Sequence, residues 1–311
     1  MGMDDALLGK AAVVAREVAR GLIMLRVGER IPGTAEYAQA HDVGFGTVQK
    51  ALASLVYNGA IKISSQASRG TFLVAKNASV LWRAAHLPAV TGMLPLPSSP
   101  EHEGLASALT ITFEELGIPF TLSYTQGARQ RIRALLERRC DVIVLSADAA
   151  TAASAENADF VPLLDLPDCQ YYKPGALIVL MTADAARHGP LRVGVDRSSY
   201  DHEMLTRHEF PDALLIPVHY THIPQSIARG VIDAAIWNET ARGPLTLGAA
   251  LCLRPLAHQP ARDLAARLGS VTLLGRRGSV GVAALFRDYV DGATLGQIQR
   301  EVIDGARIPS Y

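Results

Sequence analysis

Two serine pairs carry the first sign of binding chemistry. Ser98-Ser99 in "LPSSPEHEG" and Ser198-Ser199 in "VDRSSYDHE" each follow a strand-like run and open a helix-like one. Free backbone amides at a helix N-terminus favour anions, and a neighbouring hydroxyl adds a donor. Glu101 and Tyr200 stand beside the two pairs, Ser146 closes the run "VIVLS", and Asn238 and Glu239 follow "AAIW". Open α/β sheets bind ligands beyond the carboxyl ends of their strands. Ser98, Ser99, Glu101, Ser146, Ser198, Ser199, Tyr200, Asn238 and Glu239 are therefore expected to form a pincer for a small polar or anionic effector. A serine in such a place also caps its helix, so each has a purely structural reading as well.

A second group suits a phosphate backbone. In "GFGTVQKALASLVYNGAI", Val48, Ala51, Leu52, Leu55 and Val56 recur at helical spacing and predict a core stripe, with Thr47, Lys50 and Ser54 on the other side. Gly59 ends this helix, and Ile61 and Ile63 then alternate with polar residues as a half-exposed strand does. Upstream, "IPGTAEYAQAHDVG" offers Thr34 as a cap, a short helix to His41 and a tight turn from Asp42 to Gly44; downstream, "SSQAS" and "RGTFLV" complete a hairpin. Helix, turn, helix, hairpin is the order of a winged helix-turn-helix. The chain balances 30 bases against 30 acids, yet no Asp or Glu occurs from Val43 to Pro100, where Lys50, Lys62, Arg69, Lys76 and Arg83 all lie. Carboxylates would repel a duplex, so an acid-free helix and wing point to double-stranded DNA as a partner.

Catalytic and metal motifs do not assemble. "GRRGSVG" would need glycine where Arg277 stands to form a nucleophile elbow. His219 and His222, with His202 and His208 not far away, lack a cysteine or carboxylate at ligand spacing. Lys173, the only lysine after Lys76, sits in "YYKPG", which reads as a crossover between lobes rather than a Schiff-base site. No cofactor, no metal and no enzymatic activity are expected. A second reading stays open: a ligand-binding or catalytic α/β domain whose N-terminal domain docks on another protein.

The elements that must position these residues follow from length and rhythm. A chain of 311 residues, 49% hydrophobic and 19% charged, suggests two ordered domains. Ala6 to Leu25 read as a long apolar-faced helix that starts the first domain. Residues 1–76 are expected to form the winged helix, 77–90 a linker, and 91–311 a domain of alternating strands and helices, the βαβ rhythm of a parallel sheet. The rhythm runs through two blocks, "AVTGMLPL" to "DVIVLS" and "LRVGVD" to "IDAAIW", which suggests two lobes. No apolar run is long enough to span a membrane, the acidic start "MGMDDALLGK" is unlike a secretory signal, and Cys140, Cys169 and Cys252 have no paired spacing. A cytoplasmic protein is expected.

The first domain resembles the winged-helix DNA-binding domain of GntR-type regulators, on the strength of "IPGTAEYAQAHDVGFGTVQKALASLVYNGAI" and "RGTFLV". The remainder resembles the effector domain of YhfZ-type transcriptional regulators, similar to type II periplasmic-binding-protein domains. "LPLPSSPEHEGLASAL", "GVDRSSYDHEML", "GVIDAAIWNE" and "IQREVIDGARIPSY" carry that likeness. Together they imply an α/β fold class, an N-terminal winged helix-turn-helix followed by a two-lobed periplasmic-binding-protein-like domain, in a homodimer that binds DNA under control of a small-molecule effector. The GntR recognition helix usually starts Ser-Arg-x-Thr-Val. Here Gly44-Phe45-Gly46-Thr47-Val48 keeps Thr47 and Val48 and lacks the arginine, so guanine readout from that place is lost. Phe45 either packs on the domain or touches a thymine methyl. Thr34, Thr47, Gln49, Lys50 and Ser54, with the wing residues Ser68, Arg69 and Gly70, are the implied DNA contacts, Arg69 entering a minor groove from the wing tip.

Overall fold

The computed structural model describes residues 10–182, 190–241, 251–279 and 281–311. Periodicity builds the N-terminal part. Helix α1, Lys10–Met24, buries Val14, Val18, Ala19, Leu22 and Ile23 along one stripe; residues 6–9 of the expected helix lie outside the described residues. Helix α2 is Thr34–Ala40 and α3 is Phe45–Tyr57. The α3 helix ends in a Schellman motif around Gly59 (φ +71°), with Ala60 N donating to Leu55 O and Gly59 N to Val56 O. Strands β1, Ile61–Ser65, and β2, Thr71–Lys76, pair antiparallel, and residues 28–31 bridge to β2 at Arg30 and Phe72, with Gly28 N donating to Leu73 O and Ile31 N to Thr71 O. The expected linker 77–90 is instead folded: Asn77 caps helix α4, Ala78–Ala84, which buries Leu81 and Trp82.

The rest of the chain alternates strands and helices. In order they are β3 Val90–Leu94, α5 Pro100–Leu116, β4 Phe120–Tyr124, α6 Ala128–Leu136, β5 Val142–Ser146, α7 Ala147–Glu156 and β6 Phe160–Leu166. The second block holds β7 Leu177–Thr182, β8 Arg192–Val195, α8 Tyr200–Glu209, β9 Leu214–Pro217, α9 Ile223–Ala228, β10 Ala234–Asn238, β11 Leu251–Arg254 and α10 Gln259–Arg267. Then come β12 Val271–Arg276, α11 Val282–Tyr289 and α12 Gly292–Ile303.

By its internal contacts the chain divides into two compact units. The first is Met1–Val90 with Thr112–Phe120 and Gly278–Val290; the second is Thr91–Ile111, Thr121–Arg277 and Asp291–Tyr311. Within the first unit Lys76 is buried and donates to Asp288 Oδ2 (2.7 Å) and to the carbonyls of Ile23 and Leu25, which satisfies all three ammonium protons.

The second unit has two five-stranded sheets, one per lobe: β4-β3-β5-β12-β6 and β11-β7-β10-β8-β9. Strands β3 and β5 are parallel, as are β8 with β9 and β10, which is the expected βαβ rhythm. The sheets are nevertheless mixed rather than parallel. Strand β12 runs antiparallel to β5 and β6, and β7 antiparallel to β10 and β11. Both β7 and β12 enter directly from a crossing between lobes, at 167–176 and 268–270, so no covering helix dictates their direction. The two crossings meet where Tyr171 N donates to Gly269 O (2.7 Å). No described helix is long and apolar enough to cross a membrane.

Candidate functional site

In the first unit the outer face of α3 is set by what α3 buries. Val48, Ala51 and Leu55 face the core, which leaves Phe45, Gln49, Lys50, Ala53, Ser54 and Tyr57 outside. Three expectations change. Val56 was expected in the core stripe and is exposed, because it lies about 100° round the helix from buried Leu55; Thr47 is half-buried rather than on the open face. Thr34 is not a cap: Gly33 holds that position in extended backbone, and Thr34 begins the helix half-buried. Among the described residues Gln49 and Lys50 make no side-chain hydrogen bond, whereas Ser54 accepts one from Asn58 Nδ2 (3.3 Å). Phe45 is 60% exposed and so does not pack on the domain, and Tyr57, absent from the sequence reading, is 91% exposed.

At the wing, residues 67–69 form a single 3-10 turn with Ser68 and Arg69 exposed. Gly70 has φ +97° and ψ −165°, a backbone conformation that requires glycine at this turn. Lys76 belongs to the acid-free window but is spent on its buried pair with Asp288. The exposed cations of that window are Lys50, Lys62, Arg69 and Arg83.

In the second unit both serine pairs do open helices at strand ends, and both cap them. Ser99 Oγ accepts from His102 N (3.4 Å) and Ser199 Oγ from His202 N (3.3 Å). Ser198 donates to Asp196 Oδ1 (2.6 Å). Ser146 caps α7 and donates to Asp201 Oδ1 (2.8 Å) on α8 of the other lobe. Glu101 is buried and accepts from Thr240 Oγ1 (2.9 Å), again across the lobes. Arg129 adds two further links, Nη2 to Glu203 Oε2 (2.9 Å) and N to Ser198 O (3.0 Å). Tyr200 packs against the first lobe's core of Ala128, Leu135 and Ile143 instead of lining a cavity. Much of the expected pincer is therefore the latch that holds the lobes together.

What remains open between the lobes is a cavity of about 50 Å³. Of the expected residues Ser98, Ser199 and Asn238 line it; Glu239 lines a separate cavity of about 600 Å³ beside β7, β11 and α10. The sequence reading missed the groups that dominate the wall: His102, Gln126, Arg131, Tyr171, Tyr172 and Tyr220. Arg131 is 2% exposed and donates to Val144 O (3.0 Å), Thr125 O (3.0 Å) and Tyr171 OH (2.6 Å). A signal for it was present, since Ala128, Arg131, Ala134 and Leu135 share the buried face of α6. Tyr171 and Tyr172 meet edge to face at 4.9 Å, and His102 lies 5.0 Å from Tyr171.

Burial tunes the titratable groups here. It pushes Asp201 up to about 6, against hydrogen bonds from Ser146 and Tyr172 and the charge of Arg131. Burial, then the charge of Arg131, lowers His102 to about 4, so its ring is neutral at neutral pH; its nitrogens lie towards the carbonyls of Leu96 and Tyr171 but outside hydrogen-bond geometry. Burial also lowers His202, whose Nδ1 accepts from Asp196 N (3.1 Å) while Nε2 faces Ile236 O. Among the described residues no three His, Cys, Asp or Glu side chains gather to hold a metal; His219 and His222 stack edge to face at a 3-10 turn.

Comparison with known proteins agrees with this architecture. A helix-turn-helix domain model matches residues 26–73, and the YhfZ C-terminal domain model matches residues 77–311. The uncharacterized protein YhfZ of Escherichia coli (strain K12) is 31% identical over 99% of this chain and 100% of its own length. The crystal structure of YhfZ from Shigella flexneri has a TM-score of 0.57 at 31% identity, over 72% of this chain and 93% of that one. The periplasmic aliphatic sulphonate binding protein SsuA of Escherichia coli shares the fold, with a TM-score of 0.52 at 16% identity over 70% of this chain and 75% of that one. An N-terminal helix-turn-helix precedes a two-lobed α/β domain like those of periplasmic binding proteins, and with a family model spanning residues 77–311 and a full-length relative, the chain belongs to the YhfZ family.

Proposed function

We propose that the chain is a cytoplasmic transcriptional regulator that binds double-stranded DNA through its helix-turn-helix and responds to a small polar or anionic ligand held between the lobes of its α/β domain. The outer face of α3 carries this reading: Phe45, Gln49, Lys50 and Ser54 stand exposed on a helix with no carboxylate, beside a wing tip with exposed Arg69. Cations and polar donors without nearby acids are what a duplex backbone demands. The hairpin wing supports the finer reading as a GntR-type winged helix. Residues 1–76 would be the DNA-binding part and 91–311 the effector part, joined by 77–90.

Two copies acting as a homodimer would place their α3 helices in major grooves one helical turn or a multiple apart, on a pseudo-palindromic operator. Ligand and operator would then affect each other's affinity by the same factor. A gel shift with DNA from upstream of the protein's own gene, at two salt concentrations, tests the reading. A specific, salt-sensitive shift weakened by Lys50→Ala supports it. The exposed aromatics Phe45 and Tyr57 favour one alternative, docking of the N-terminal domain on another protein; in that case random-sequence DNA competes as poorly as no DNA.

A further inference from the structure

The wall of the inter-lobe cavity holds a guanidinium that no carboxylate of the described residues touches. Arg131 is buried, its three hydrogen bonds go to neutral oxygens, and among the described residues it has no carboxylate partner within 4 Å. Asp201 feels the charge of Arg131 without touching it, and a buried cation with no direct ion pair keeps much of its desolvation cost until an anion sits against it. Three of its five N–H groups are used, which leaves two for a ligand. Beside it His102 is 8% exposed, lines the same cavity and has neither ring nitrogen hydrogen-bonded. Tyr171 accepts from Arg131 and so keeps its own phenolic proton to donate. Ser98 and Gln126 add a hydroxyl and an amide.

Size and charge narrow what fits. The cavity of about 50 Å³ has room for about three to five waters at roughly 10–15 Å³ each. Asp201, buried and reached by Tyr172 from the cavity wall, and Asp196, which holds the N-terminal turn before α8, disfavour a second negative charge nearby.

We propose that the closed cleft binds a compact monoanion, a small carboxylate seated on Arg131 with His102 and the Tyr171 hydroxyl as its neighbours. This rests on reading the cleft as the effector site. It goes beyond that reading by excluding nucleotides, sugar phosphates and peptides as ligands of the closed form.

The test is calorimetric titration and thermal unfolding of the full chain, without DNA, with acetate, glycolate and lactate. Acetamide serves as the neutral isostere and citrate as the larger polyanion. Saturable binding of at least one of the three monoanions is expected, with a raised melting temperature and no response to acetamide. Among the described residues the His102 ring makes no hydrogen bond that His102→Ala would remove, and with folding checked by circular dichroism the variant is expected to weaken that binding about tenfold. Arg131→Gln is expected to abolish it, with folding checked by circular dichroism. Binding of acetamide or citrate in place of the monoanions overturns the proposal, as does undiminished affinity in His102→Ala. If no monoanion binds while operator binding responds to another compound, the proposal fails and the regulator reading stands. If a monoanion binds and no DNA does, the reverse holds.

Discussion

Ser146, at the end of β5, donates its hydroxyl to Asp201 Oδ1 across 2.8 Å, so a strand end of one lobe is tied to a helix of the other. The bond is buried, and burial pushes the Asp201 carboxyl up to about 6 from its ordinary 3.8. Between those values the folded chain holds a proton that the unfolded chain has released, so this group adds stability as pH falls towards 4 and loses it as pH rises through 6. Asp201→Asn keeps an oxygen for Ser146 and removes the charge. Its melting temperature relative to wild type is expected to be more favourable at pH 7.5 than at pH 4.5. A difference that does not change with pH would count against this role.

Gly127 approaches Ser198 of the opposite lobe so closely that a Cβ would stand 2.6 Å from Ser198 O, and its φ is +85°. Gly127→Ala is expected to wedge the lobes apart, seen as a larger radius of gyration in solution scattering and weaker ligand binding. Gly175, also at positive φ but with open space around it, is the control: Gly175→Ala is expected to cost stability without opening the cleft.

Lys76 and Asp288 predict a contrast with Lys50. Hydrogen bonds from Arg287, then from Lys76, hold the Asp288 carboxyl down to about 2. Asp288→Asn strands a buried ammonium and is expected to cost roughly 3 kcal/mol of stability, the lower part of the range for breaking a buried pair. At a temperature where the variant is folded, the salt dependence of DNA binding is expected to match wild type. Lys50→Ala is expected to do the opposite, leaving the stability within about 0.5 kcal/mol of wild type and lowering the salt slope by about one.

Phe45 is exposed at the start of α3, one turn before Gln49 on the same face. An apolar ring there is suited to thymine methyls, and glutamine to adenine. Replacing thymine by deoxyuridine in the bound operator is expected to weaken wild-type binding and leave Phe45→Ala unaffected. Equal losses for both proteins would remove Phe45 from base contact.

The sequence by itself determined most of the order of elements, because periodicities of 3.6 and 2 and the punctuation of Gly59 are local properties of the chain, although α4, capped by Asn77, was read as linker. It also determined where the candidate surface of α3 lies, since burying Val48, Ala51 and Leu55 leaves only one face outside. Long-range proximity was decided by the tertiary structure alone. Lys76 reads as one more cation of an acid-free window until Asp288, 212 residues away, is brought against it. Ser146 reads as a helix cap or a ligand donor, and only the packing of the lobes shows its hydroxyl given to Asp201, 55 residues away. The strands β7 and β12 run against their neighbours because the chain crosses between lobes, a path that no local pattern encodes. Arg131 lay visible on the apolar face of α6, but that it stands buried with only neutral direct partners depends on Val144, Thr125 and Tyr171 converging from three other segments.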